Sequence, residues 1–204
     1  MKAIRHPVLG LSSTKRAFVF VAALVFGFVL WYALQSLNAP LVRPQSQWGI
    51  VSLQLAHTSE RSQEIISAWD AGARNSAQSG LLLDFLFPIC YSTALTIVCF
   101  WAAALFRERG YRKTGWLASL VAWAQWPAAL FDYVENIALW VELRGTIADP
   151  WPRIAFFCAT IKFALVAAAL FVLVAALVIW VFRFRVIPSS TPIMTPPPSH
   201  GVQL

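Results

Sequence analysis

Residues 17–37, AFVFVAALVFGFVLWYALQSL, run for 21 residues without a single charge. At the helical rise of about 1.5 Å per residue they reach across about 30 Å, the hydrocarbon thickness of a bilayer. Three more apolar stretches follow. Residues 81–106 are interrupted only by Asp84, residues 115–141 carry Gln125, Asp132, Glu135 and Asn136, and residues 154–182 carry Lys162 as their only charge. Four spans joined by short turns predict an all-α integral membrane four-helix bundle.

Composition agrees with that expectation. Hydrophobic residues make up 59% of the 204, charged residues 12%, and mean hydropathy is +0.65, values outside the range of water-soluble domains. A basic segment precedes the first span, as in a signal peptide. The span is longer than a usual signal core, however, and Ala39-Pro40 makes a poor cleavage point, so a retained anchor is expected.

The formal charge is +7, from 16 Lys and Arg against 9 Asp and Glu. Lys2, Arg5, Lys15 and Arg16 precede the first span, Arg107, Arg109, Arg112 and Lys113 fill the turn after the second, and Arg183 and Arg185 follow the fourth. Cations beside apolar spans orient a membrane protein, and no separate basic domain exists to bind nucleic acid. Arg43, Arg61, Arg74, Arg144 and Arg153 mark the other side more sparsely, so both termini are expected in the cytoplasm of a multi-pass protein of a bacterial inner membrane.

The resulting plan is a basic cytoplasmic N-terminus (1–16), a first span (17–37), an extracytoplasmic loop (38–80), a second span (81–106), a basic cytoplasmic turn (107–114), a third span (115–141), an extracytoplasmic turn (142–153), a fourth span (154–182) and a disordered, proline-rich cytoplasmic tail (183–204). In the long loop, Thr58-Ser59-Glu60 reads as a helix cap before the apolar stripe of Ile65, Ile66 and Trp69. This predicts a short amphipathic helix over about 59–69, ended by Gly72, lying at the interface as a connector or over a membrane site as a lid. Pro88 is expected to kink the second span one turn after Asp84. Trp31, Trp101, Trp116, Trp140, Trp151 and Trp180 lie near span ends as an aromatic belt, whereas Trp123 and Trp126 are deeper and expected to be packing residues.

A carboxylate in hydrocarbon costs about 3 kcal/mol on insertion scales, so two in one span require partners. Spacings of three and four put Asp132, Glu135 and Asn136 on one helical face, with Gln125 two turns earlier and Ala118, Ala122, Ala128 and Ala129 beside them. Counting from the outer end of the span at 1.5 Å per residue places Asp132 roughly 14 Å deep and Glu135 roughly 9 Å, while Lys162 on the fourth span lies roughly 12 Å deep. Opposite charges therefore meet at one level. Asp84, shallower in the first turn of the second span, and Tyr91 below it complete a cluster in the outer half of the bundle. Glu142, just past the third span, is expected to be a solvated interfacial charge.

Three elements, Leu-Asp84-Phe-Leu-Phe-Pro88-Ile-Cys-Tyr91, Phe-Asp132-Tyr-Val-Glu135-Asn136-Ile and Thr160-Ile-Lys162-Phe, resemble a recurring pattern in uncharacterised bacterial four-helix integral membrane proteins with a D-x-x-E-N element in the third span. The resemblance covers roughly residues 48–182 and implies the same fold and the same choice of residues. It carries no established activity.

Two functional expectations compete with a structural one. An excess of carboxylates over lysine suits a pocket that binds or acts on a lipid-like or isoprenoid molecule, with Asp132 or Glu135 as acid or base, Lys162 setting their protonation, and Asp84, Tyr91, Gln125 and Asn136 contacting the ligand. It also suits proton- or cation-coupled transport, although four helices without internal repeats and a nearly apolar inner half speak against a carrier. Structurally, the same residues form a buried ion pair that specifies helix packing in a subunit of a membrane complex. Cys90, Cys99 and Cys158 form no C-x-x-C pair, and His6, His57 and His200 are scattered. With no nucleotide, haem or dinucleotide motif, neither a metal nor another cofactor is expected. The expected partners are membrane lipid, a hydrophobic small molecule, and other membrane subunits or further copies of the chain.

Overall fold

The computed structural model describes residues 7–182, so the expected tail and the charges Lys2, Arg5, Arg183 and Arg185 lie outside the described residues. Among those residues there are seven α-helices and no strand: α1 (Ser13–Asn38), α2 (Ile50–Gln54), α3 (Ser59–Ser67), α4 (Ala71–Asp84), α5 (Phe87–Glu108), α6 (Arg112–Leu143) and α7 (Trp151–Phe182). Three are long and apolar enough to cross a membrane: α1 with the turn after it, α5 and α7. Helix α6 equals α7 at 32 residues, but its Gln125, Asp132, Glu135 and Asn136 dilute its apolar character.

The long helices owe their close approach to small residues. Helix α6 lies between α5 and α7, and its buried face is Gly115, Ala118, Ala122, Gln125, Ala128, Ala129, Asp132, Glu135, Asn136 and Ala138, the polar and small-sided stripe expected from the spacing. At Gly115 a Cβ atom would stand 2.9 Å from the carbonyl oxygen of Ala103, so only glycine lets the start of α6 meet the end of α5 this closely. Thr96 on α5 donates to the Ala122 carbonyl at 3.2 Å. Pro127 lies inside α6 and lacks the N–H that would bond the Trp123 carbonyl, leaving a weak point in the helix five residues before Asp132. Trp123 and Trp126, expected to pack inside, lie on the exposed side of α6.

Helix α1 packs against α5 and α4, with Gly27 over Cys90 and Phe20 edge-on to Trp101 at 5.0 Å. Only 11% of the most apolar stretch of α1 is buried, the same as for α7, against 56% for α5. The outward faces of α1 and α7 are thus nearly continuous apolar surface, with Phe18, Val25 and Phe28 on one helix and Phe171, Val174 and Leu177 on the other.

Helices α2, α3 and α4 cap one end of this assembly. Thr58 caps α3 by accepting from Arg61 N–H at 3.2 Å, and Asp70 caps α4 by accepting from Ala73 N–H at 2.8 Å, each satisfying a backbone donor that the first turn leaves free. The Ala73 N–H holds the exposed Asp70 carboxyl below its ordinary value. Ile65, Ile66 and Trp69, the stripe expected to lie on an interface, instead form a core with Leu41, Leu53, Leu139 and Ala155. The Trp69 indole donates to the Leu41 carbonyl at 2.9 Å and to Ser46 Oγ at 3.0 Å. This stripe faces protein because α6 and α7 extend up beneath it.

Two expectations about the second span are corrected. Residues 81–106 are not one helix: α4 begins at Ala71, ends at Asp84, and is separated from α5 by Phe85 and Leu86. Pro88 occupies the first turn of α5, and the N–H it lacks would have bonded the Asp84 carbonyl, so the loosening expected there takes the form of a complete break at Phe85–Leu86. Asp84 is the last residue of α4 rather than part of the first turn of a span. Glu142 is likewise no solvated charge. It is completely buried at the end of α6, close to Ser62 of α3, because α3 covers that end of the helix. Burial pushes its carboxyl up to about 7, with Ser62 opposing the shift.

Candidate functional site

The three-and-four spacing on α6 turns Asp132 and Glu135 towards α7, where Lys162 answers both. Lys162 Nζ stands 2.8 Å from Asp132 Oδ1 and 2.7 Å from Glu135 Oε2. The side chains of Lys162, Asp132 and Glu135 are 7%, 4% and 0% exposed, so all three ions lie in the interior. The Asp132 contact is a hydrogen bond, whereas the Glu135 contact is an ion pair whose angles fall outside hydrogen-bond geometry. The ammonium also lies 4.8 Å from the Phe163 ring centroid.

A second polar pair adjoins the first. Asn136 Nδ2 donates to Asp84 Oδ2 at 2.9 Å, tying the end of α4 to α6. The break at Phe85–Leu86 lets Asp84 enter from the capping layer and approach Asp132. The buried Tyr91 hydroxyl on α5 faces Asp132. Six of the seven expected residues therefore converge. Gln125 stands apart: its amide donates to the Val121 carbonyl at 3.0 Å and the Leu165 carbonyl at 3.2 Å, a cross-link between α6 and α7.

Convergence alone does not make a site, but a cavity of about 430 Å³ opens directly onto these residues. Asp132 and Lys162 form its charged floor, with Asp84 and Tyr91 beside them. Glu135, Asn136 and Gln125 do not line it; they stand behind the floor. The walls are apolar side chains of α1, α4, α5 and α7, including Leu34, Leu81, Leu95 and Val166. A small polar rim, Gln35, Asn38, Gln54 and Ser76, completes the cavity and was not anticipated from the sequence. Gln35 and Asn38 do end the first apolar run, which is the only local signal of that rim.

Chemically, the arrangement offers a cavity that is apolar on most sides, with two carboxyls, one phenol and one engaged ammonium at one end. Such a combination binds an amphiphile by its polar end and can hold or move a proton there. Among the described residues no three or more His, Cys, Asp or Glu come together as a metal-ligand set. Comparison with protein-family models, curated proteins and solved structures found no significant match to the chain.

Proposed function

We propose that this chain is a four-span protein of a bacterial cytoplasmic membrane, with both termini inside, that binds or acts on a lipid-like or isoprenoid molecule in the cavity above Lys162 and Asp132. The observation that carries this reading is the single charged floor beneath otherwise apolar walls. Helix α6 serves as the third span in chain order, beside α1, α5 and α7: its 32 residues reach about 48 Å, and its polar face is turned inward between α5 and α7 rather than to lipid. The ten cations beside spans favour the cytoplasm for the end opposite the α2–α4 cap. The cap then lies on the extracytoplasmic side, closing the outer end of the cavity.

Within this reading the roles divide by access. Asp132, which faces the cavity, is the group placed to exchange a proton with a ligand, with Asp84 and Tyr91 next to it. Glu135, behind the floor, acts through Lys162. Purified protein extracted for lipid and analysed by mass spectrometry should carry a reproducible amphiphile that is lost in Asp132→Asn and retained in Gln125→Ala. Equal lipid content in wild type and Asp132→Asn would sink the proposal.

A purely structural role has one specific observation in its favour. The ion pair and the Asn136–Asp84 hydrogen bond join α7 and α4 to α6, as expected of a polar network that fixes packing in an assembly subunit. That reading gives no role to the cavity.

A further inference from the structure

Helices α1 and α7 both flank α5, and both contribute to the cavity, yet they form no close helix pair with each other. Between them the wall consists of side chains. Trp31 from α1 and Phe163 from α7 line the cavity and are 46% and 41% exposed. The two helices present an apolar exterior, their most apolar stretches being only 11% buried. An entrance between these two residues would face hydrocarbon rather than water under the membrane reading above.

The charge of the floor restricts what can enter head first. Three carboxyls, Asp84, Asp132 and Glu135, interact with one ammonium, Lys162. Lys162 is already engaged by two carboxylates and an aromatic ring, which leaves it little capacity for an incoming phosphate. Beside the floor, the cavity offers the Asp84 carboxyl, the Tyr91 phenol and π faces, with the polar rim of Gln35, Asn38, Gln54 and Ser76 further along it. Asp84 takes its side-chain hydrogen bond at Oδ2 only, the Tyr91 hydroxyl faces Asp132, and Phe87, Tyr91 and Trp31 line the cavity with their rings. This set matches an organic cation, by charge pairing and cation–π contact together.

We propose that the ligand is a lipophilic amine that enters sideways between Trp31 and Phe163, sets its ammonium against Asp84 and Asp132, and leaves its hydrocarbon chain in the gap between α1 and α7. The proposal rests on the cavity being a lipid-like binding site and adds the class of head group and the route. At about 30 Å³ per non-hydrogen atom, the cavity accommodates about fourteen such atoms, which matches a single twelve-carbon chain with a small head.

The test is native mass spectrometry of the full chain released from detergent micelles, with dodecylamine, dodecanol and dodecyl phosphate competing at equal concentration. Dodecylamine is expected to dominate as a single adduct, its occupancy falling about tenfold in Asp84→Asn through loss of one charge-assisted contact. Leu34→Trp, which narrows the gap from α1 without touching the charged floor, should abolish the adduct while the melting temperature shows the chain still folded. Predominance of dodecyl phosphate or dodecanol, lost in Leu34→Trp, overturns the amine assignment and leaves the lipid-site reading standing. Dodecylamine occupancy unchanged by both substitutions overturns the amine and the side entrance together. No saturable adduct with any of the three probes sinks the lipid-site reading as well.

Discussion

Replacing Lys162 by Met tests whether the charged floor is held by its ion pairs. At an effective dielectric of about 20, a contact at 2.8 Å supplies about 6 kcal/mol of gross attraction, and Lys162 makes two such contacts. Repulsion between Asp132 and Glu135 and several kcal/mol of desolvation per ion oppose this, so the net worth of the triad is small. Removing only the ammonium is different. It discards both attractions while leaving two carboxyls, 4% and 0% exposed, without their cation.

The cost of breaking a buried pair in this way is about 3–5 kcal/mol. At about 2–4 °C per kcal/mol for a chain of this length, Lys162→Met should lower the melting temperature by about 6–20 °C in mild detergent, followed by circular dichroism. The compensated variant Asp132→Leu, Glu135→Met, Lys162→Met removes all three ions together and should recover to within about 1 kcal/mol of wild type. A Lys162→Met protein melting within about 2 °C of wild type would refute the reasoning, and so would a triple variant no more stable than the single one. If stability returns in the triple variant but bound amphiphile does not, the floor serves a ligand rather than packing alone.

Two further outcomes concern the capping layer. Glu142 has a folded pKa of about 7 against an ordinary 4.5, because burial disfavours its charged form; the protonated state is thus favoured by folding, a contribution present below about pH 4.5 and lost as pH rises through about 7. Glu142→Gln should remove that fall and make the protein more stable than wild type at pH 8 by about 1–3 kcal/mol, and identical melting curves of the two proteins across pH 5–8 would contradict it. Gly49 has φ +60°, and a Cβ there would overlap the Asn38 side chain, whose Oδ1 accepts the Ile50 N–H at 2.8 Å. Gly49→Ala should therefore cost about 2–4 kcal/mol in a thermal melt, and a loss below about 0.5 kcal/mol would show that the α1–α2 turn adapts.

What the sequence made legible follows from the range of each interaction. The apolar helices announce themselves because hydropathy is a local sum, and the Asp132–Glu135–Lys162 meeting was legible because spacing sets the face and residue count sets the depth. Thr58-Ser59-Glu60 ahead of the Ile65, Ile66 and Trp69 stripe likewise signalled the start of α3, which Thr58 caps. Helix α4 was not legible: its Gly72, Asn75, Ser76, Ser79 and Gly80 are poor helix formers, and packing of Ala73, Ala77 and Leu81 against the cap core overrides that weakness. The side chain of Glu142 reads as exposed from its position after an apolar span, and only the distant segment α3 buries it. The cavity is more remote still from any local pattern, since it arises where α1 and α7 fail to close on each other.

That failure follows from how α1 is attached. Gly27 lets its backbone settle on Cys90, where a Cβ would stand 3.2 Å from the Cys90 Cβ, and the Phe20–Trp101 contact anchors the same helix face further from the cap. Both contacts lie on α5, so α1 leans on α5 and α4 and leaves its side towards α7 to Trp31 and Leu34. In water such a gap would collapse or fill, because the apolar walls would gain by closing on one another. In hydrocarbon the drive to close is nearly absent, since chains of lipid wet the same walls as well as side chains do. A gap ending in a buried ion pair is therefore tolerable for a membrane protein, and an amphiphile that covers the charged floor while extending its chain between α1 and α7 fits both ends of it.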